Sequence, residues 1–109
     1  MDEDIKKSLF ENEKQAKETL KFSRMEIDKL DNDLINIISE RTSYAEDIVK
    51  AKTYLDMDIY DEKREKSIHD KAKKLASQKG IDQDILFEIL DDLALLSKRK
   101  QKHILDELE

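Results

Sequence analysis

From residue 2 to residue 53 the chain keeps a helical spacing of apolar side chains and meets no residue that would stop a helix. The whole sequence holds one glycine, Gly80, and no proline. A chain so short of turn formers builds a few long helices, which makes the fold class all-α. One very long N-terminal helix is therefore expected over residues 2–53, with its stripe of Ile27, Leu30, Leu34, Ile37, Ile38, Ala45 and Ile48 buried. The period lapses over residues 54–60 (YLDMDIY), and Asp61 then offers an N-cap ahead of Glu62, Lys63, Arg64 and Glu65. The second helix shows an inner face of Ile68, Ala72, Leu75 and Ala76 and should end at Gly80, where a left-handed C-cap is wanted. Asp82 caps a third helix whose Ile85, Leu86, Ile89, Leu90, Leu93, Leu96, Ile104 and Leu108 carry the period almost to the C-terminus.

These lengths bear on assembly. About 50 helical residues at about 1.5 Å each span roughly 75 Å, far more than one compact domain of 109 residues. The long helix must lie along another copy or a partner, most simply in a two-fold dimer with the long helices antiparallel.

Three cations, Arg24, Arg41 and Lys52, sit on the same stripe as those apolar residues. Cations are almost never buried without an anion, so the stripe is built around an acidic partner or ligand. Arg41 and Lys52 stand 11 residues apart, three turns and about 16 Å, and two long side chains leaning inward leave a gap fit for a small dianion. Arg24 precedes Arg41 by 17 residues, about 25 Å, too far to reach that gap in its own chain but able to reach the gap of an antiparallel partner. Asp61, Arg64 and Glu65 cluster in the first turn of the second helix, where free backbone N–H groups favour an anion or a hydroxyl oxygen. Ser97 and Gln101, four apart, prolong the inner stripe of the third helix with neutral hydrogen-bonding groups. The run Lys98-Arg99-Lys100-Gln101-Lys102 reads as surface cations around Gln101, in the half of the helix whose dipole suits them.

Composition removes other classes. A net charge of -6 argues against a nucleic-acid partner, which needs a dominant basic surface, so any anion site is local. Without cysteine there is neither a disulfide framework nor a thiolate metal site. His69 and His103 lie in different helices without ligand spacing. Asp56, Asp58 and Asp61 imitate the start of a calcium loop but lack its glycine and closing glutamate, so no metal is assigned. The opening MDEDIKKSLF is no signal peptide and no run approaches the roughly 20 apolar residues of a membrane span, which leads to the expectation of a cytoplasmic protein.

The segment Arg24-Met-Glu-Ile-Asp-Lys-Leu-Asp31, followed by Leu34-Ile35, Glu40-Arg41 and Lys52, then Asp61 with Arg64-Glu65 and finally Ser97 and Gln101, resembles the all-helical chorismate mutases over about residues 23–105. The resemblance implies a three-helix protomer in an intertwined homodimer, with residues 1–22 as an N-terminal extension of the first helix and 23–109 as the mutase domain. It implies conversion of chorismate to prephenate, a cofactor-free Claisen rearrangement in the branch leading to phenylalanine and tyrosine. Arg41 and the Arg24 of the other protomer would hold the two carboxylates, with Arg64 and Ser97 supporting one of them. Lys52 and Gln101 would donate hydrogen bonds to the ether oxygen as negative charge grows there, and Glu65, with a backbone N–H near Asp61, would bind the ring hydroxyl. The residues themselves agree, since no nucleophile–base pair is visible and a pericyclic step needs only positioning and charge stabilisation. Two other readings stay open: an isochorismate pyruvate-lyase of the same fold, recognised by free pyruvate among its products, and a noncatalytic helical dimerisation or adaptor module. The cations that punctuate the stripe spoil the heptads such a module would want.

Overall fold

The computed structural model describes residues 2–109, and among these residues every regular element is a helix. They are α1 (Glu3–Leu9), α2 (Glu13–Ser43), α3 (Ala45–Tyr54), α4 (Glu62–Lys79) and α5 (Gln83–Leu108). The chain divides into two compact units, one ending at Ile37 and the other comprising Ile38–Glu109.

The single helix expected over residues 2–53 is interrupted twice, and each interruption has a local cause. At residues 10–12 the backbone leaves the helix because Asn12 starts a new one: its Oδ1 accepts the Gln15 N–H at 2.8 Å, while Gln15 Oε1 accepts the Glu11 N–H at 2.9 Å. This reciprocal exchange is close to a capping box, and it replaces helix continuation for two donors. At Tyr44 the chain stays in the right-handed helical region but shifts register: the Tyr44 N–H reaches Arg41 O at 3.4 Å, and the Ser43 hydroxyl donates to Glu40 O at 2.6 Å. Glu40 O is the carbonyl that Tyr44 would use in a regular helix, so the serine takes it and the turn tightens.

The second unit has a core built from small side chains. Ala45 and Val49 of α3 and Ala72 and Ala76 of α4 are buried, and α5 packs against both α3 and α4. Alanines allow helix axes to approach closely, which brings polar groups on the three helices within hydrogen-bonding reach of one another. Of the faces expected to be inner, Ala72 and Ala76 are fully buried and Ile68, Leu75, Leu86, Leu90, Leu93 and Ile104 half-buried, whereas Ile85, Ile89, Leu96 and Leu108 are exposed.

The helix ends follow the sequence signals. Asp61 Oδ1 accepts the Arg64 N–H and Asp82 Oδ1 the Ile85 N–H, both at 3.0 Å. Gly80 sits at φ +66 with Ile81 N–H donating to Ala76 O, a Schellman cap that needs the left-handed region glycine enters freely. α3 closes in the same way with Asp56 at φ +57: Asp56 N–H donates to Thr53 O and Met57 N–H to Lys52 O. An aspartate tolerates that conformation better than most side chains.

The stripe on α2 departs from expectation. Ile27, Leu30, Leu34 and Ile37 are all more than half exposed in the protomer, Leu30 at 64%, and no residue of α2 is buried. The other large apolar side chains of this unit, Ile5, Leu9, Phe10, Leu20, Phe22, Met25 and Ile35, are exposed as well. No helix among the described residues is long and apolar enough to cross a membrane.

Candidate active site

A cavity of about 370 Å³ opens between α3, α4 and α5 in the second unit, within the range of small-molecule sites. Seven of the eight residues singled out from the sequence line it: Arg41, Lys52, Asp61, Arg64, Glu65, Ser97 and Gln101. Arg24 is exposed on α2 in the first unit and is not among the lining residues. Tyr44, Ile48, Ile59, Ile68 and Ala94 supply the apolar wall.

Gln101 is the buried polar residue at the centre, 3% exposed. Its amide orientation follows from its neighbours. Lys52 Nζ can only donate, so Gln101 Oε1 faces it at 3.0 Å, and Nε2 donates to Ser97 Oγ at 3.0 Å. The amide group has a second hydrogen beyond the one given to Ser97. Lys52 Nζ also donates to Ile59 O at 2.6 Å, so two of its three hydrogens are engaged and one is left for a ligand. Placement of this ammonium is thus fixed from two sides, by α5 and by the loop that precedes α4.

Arg41 is anchored by one hydrogen bond, Nη1 to Leu93 O at 3.1 Å, which leaves most of its planar donor fork unspent. The first turn of α4 presents Arg64 and Glu65 behind the Asp61 cap. In all, the lining carries the cations Arg41, Lys52, Arg64 and Lys98 against the carboxylates of Asp61 and Glu65. A chain of net charge -6 therefore concentrates positive charge in this one hollow, which suits a small anion with more than one negative group.

Lys98 is the residue that sequence reasoning misplaced. It is no member of a solvated run: its Nζ donates to both Glu65 oxygens, at 3.1 and 3.3 Å, and lies 5.2 Å from the centre of the Tyr60 ring. Its side chain is 29% exposed and that of Glu65 23%. The available signal was positional, since Lys98 stands three residues before Gln101 on the face that meets α4. Outside the cavity, His69 Nε2 meets Asp91 Oδ1 at 2.5 Å and its ring stacks on Phe87 with centroids 4.6 Å apart, tying α4 to α5. Among the described residues no group of histidines and carboxylates is arranged to hold a metal ion.

Comparison with known proteins gives two findings. The family model described as chorismate mutase type II matches residues 23–102. A chorismate mutase of Methanocaldococcus jannaschii is 36% identical over 86 residues, covering 79% of this chain and 87% of the relative. No solved structure gave a significant match.

Proposed function

Because the chain belongs to the chorismate mutase type II family and so is an isomerase that converts chorismate to prephenate, we propose that the rearrangement takes place in the cavity between α3, α4 and α5, with Lys52 and Gln101 as its catalytic residues. The single observation that carries this reading is the hydrogen-bonded series Lys52–Gln101–Ser97, with Gln101 buried. It leaves one ammonium hydrogen and one amide hydrogen without a partner in a cavity that the Arg41 side chain also lines.

The chemistry asks for two things. The substrate must be held with its enolpyruvyl arm folded over the ring, which removes the entropic part of the barrier before reaction. In this scheme Arg41 and Arg64, with Ser97, bind carboxylate and Glu65 accepts the ring hydroxyl, which their shared lining of the cavity supports, while Asp61 orders the first turn of α4. As the ether C–O bond breaks and the new C–C bond forms, negative charge grows on the departing oxygen. Lys52 Nζ and Gln101 Nε2 donate to it there, an interaction stronger in the transition state than in bound substrate. No proton changes hands and no covalent intermediate is needed.

Arg24 enters this scheme from a second protomer. The exposed stripe of Ile27, Leu30, Leu34 and Ile37 on α2 supports a homodimer whose long helices cover one another. Arg24 lies on that same helix, so burial of the stripe and delivery of a cation to the partner's cavity would be one event. The reading places the enzyme in the cytoplasm.

The test is to follow chorismate loss by ultraviolet absorbance, identify the product by NMR, and compare wild type with Lys52→Ala. Removing a donor to developing charge costs about 3–4 kcal/mol, so the variant should lose two to three orders of magnitude in turnover. A loss under tenfold in a folded variant would remove Lys52 from the role. Pyruvate released from isochorismate, without prephenate from chorismate, would assign the cavity to the lyase reaction instead.

A further inference from the structure

We propose that Lys98 is a positioning residue that holds the Glu65 carboxylate in place to read the substrate's ring hydroxyl, and so sets the enzyme's preference for hydroxylated over deoxygenated dicarboxylates. The proposal rests on the assignment of Glu65 to that hydroxyl.

Three observations converge on it. Lys98 Nζ contacts both Glu65 oxygens, at 3.1 and 3.3 Å, in a pair that is less than one third exposed on either side. An ammonium shared between both oxygens fixes the carboxylate's direction while leaving each oxygen a lone pair for another donor. The ammonium is itself steadied by the Tyr60 ring at 5.2 Å, so Lys98 spans from α5 to the loop before α4 and to the first turn of α4. Finally, Glu65 is one of two carboxylates lining a hollow meant for a dianion, and an unpaired carboxylate there would repel the ligand it must bind. The Lys98 charge cancels that repulsion, leaving Glu65 a local acceptor for a hydroxyl.

The experiment measures competitive inhibition by two stable bicyclic dicarboxylates shaped like the rearranging substrate, one with the ring hydroxyl and one without. Wild type should favour the hydroxylated compound by about tenfold to a hundredfold, the range of a hydrogen bond to a charged acceptor. Glu65→Gln should reduce that preference at least fivefold, and Lys98→Met, which keeps an unbranched chain against Tyr60 and loses the charge, should do the same. The double variant should lose no more than either single one, and Lys98→Arg should retain the preference. Circular dichroism and the affinity for the deoxygenated compound report folding and the dicarboxylate grip separately. If Glu65→Gln lowers the preference and Lys98→Met does not, the role of Lys98 falls and that of Glu65 stands. Lys98→Met should also weaken both compounds through the uncancelled Glu65 charge; if it weakens them by the same factor, so that the preference stays at its wild-type value, Lys98 acts on the dianion at large and the proposal is overturned. If Glu65→Gln leaves the preference intact, the hydroxyl assignment fails and this inference fails with it.

Discussion

Replacing Gln101 by glutamic acid turns a pH-independent donor into a titrating one, and the structure sets the size of the effect. The new side chain has the same length, so one oxygen faces Lys52 where Oε1 now lies at 3.0 Å and the other takes the place of Nε2 beside Ser97. Protonated, that second oxygen still has a hydrogen to offer the breaking ether; ionised, it has none and presents like charge. The ionised enzyme should therefore sit about two to three orders of magnitude below wild type, the usual loss for one donor to a developing oxyanion. The Lys52 ammonium draws the carboxyl's pKa down and the 3% exposure of the site pushes it up. At the ordinary glutamate value of about 4.3, roughly one molecule in 500 is protonated at pH 7. Log kcat/KM of Gln101→Glu should thus fall by about one for each pH unit above the introduced pKa, down to that floor, while wild type stays broad across neutral pH. Initial rates of chorismate loss from about pH 4.5 to 8 at constant ionic strength, with circular dichroism at each pH, supply the profile. A variant whose profile runs parallel to wild type would refute the reasoning, because a donor that matters cannot lose its hydrogen without cost.

Mixing inactive Arg24→Ala with inactive Lys52→Ala protein should restore about a quarter of wild-type activity, since half the dimers formed at random are mixed and each has one intact cavity. No recovery after subunit exchange verified by mass spectrometry would rule out a shared site. Gly80→Ala should cost about 1 kcal/mol in urea unfolding at fixed protein concentration, without change in KM. At φ +66 nothing lies within 4 Å of the added methyl, so the whole penalty is backbone conformation. An unchanged midpoint would mean that the cap contributes nothing to stability.

What could be read from one sequence was local chemistry. Asp61, Asp82 and Gly80 announce helix ends because capping depends on a residue and its neighbours three or four positions away. By the same logic the break at residues 10–12 is legible in Asn12 and Gln15, although the apolar period runs across it unbroken. The register shift at Tyr44 was not, since serine hydroxyls in helices usually disturb nothing. The cavity was visible as a constellation of residue types on three helices. Lys98 was lost because its meaning lies in Glu65, 33 residues away, and a cation beside three others on a helix carries no mark of which one turns inward. The α2 stripe was read correctly as apolar, yet burial belongs to an assembly and a single protomer leaves it open.

The hydrogen bond from Lys52 to Ile59 O gives the loop of residues 55–61 an uneven freedom to vary. Tyr54, Leu55 and Met57 project outward, and their side chains can be exchanged at little structural expense. The spacing between Asp56, where the backbone turns left-handed, and Ile59, whose carbonyl must meet the ammonium at 2.6 Å, allows no such latitude. One residue added or removed there would pull the Lys52 ammonium off Gln101. Side-chain identity at Leu55 and Met57 is negotiable, and the length of the segment is not.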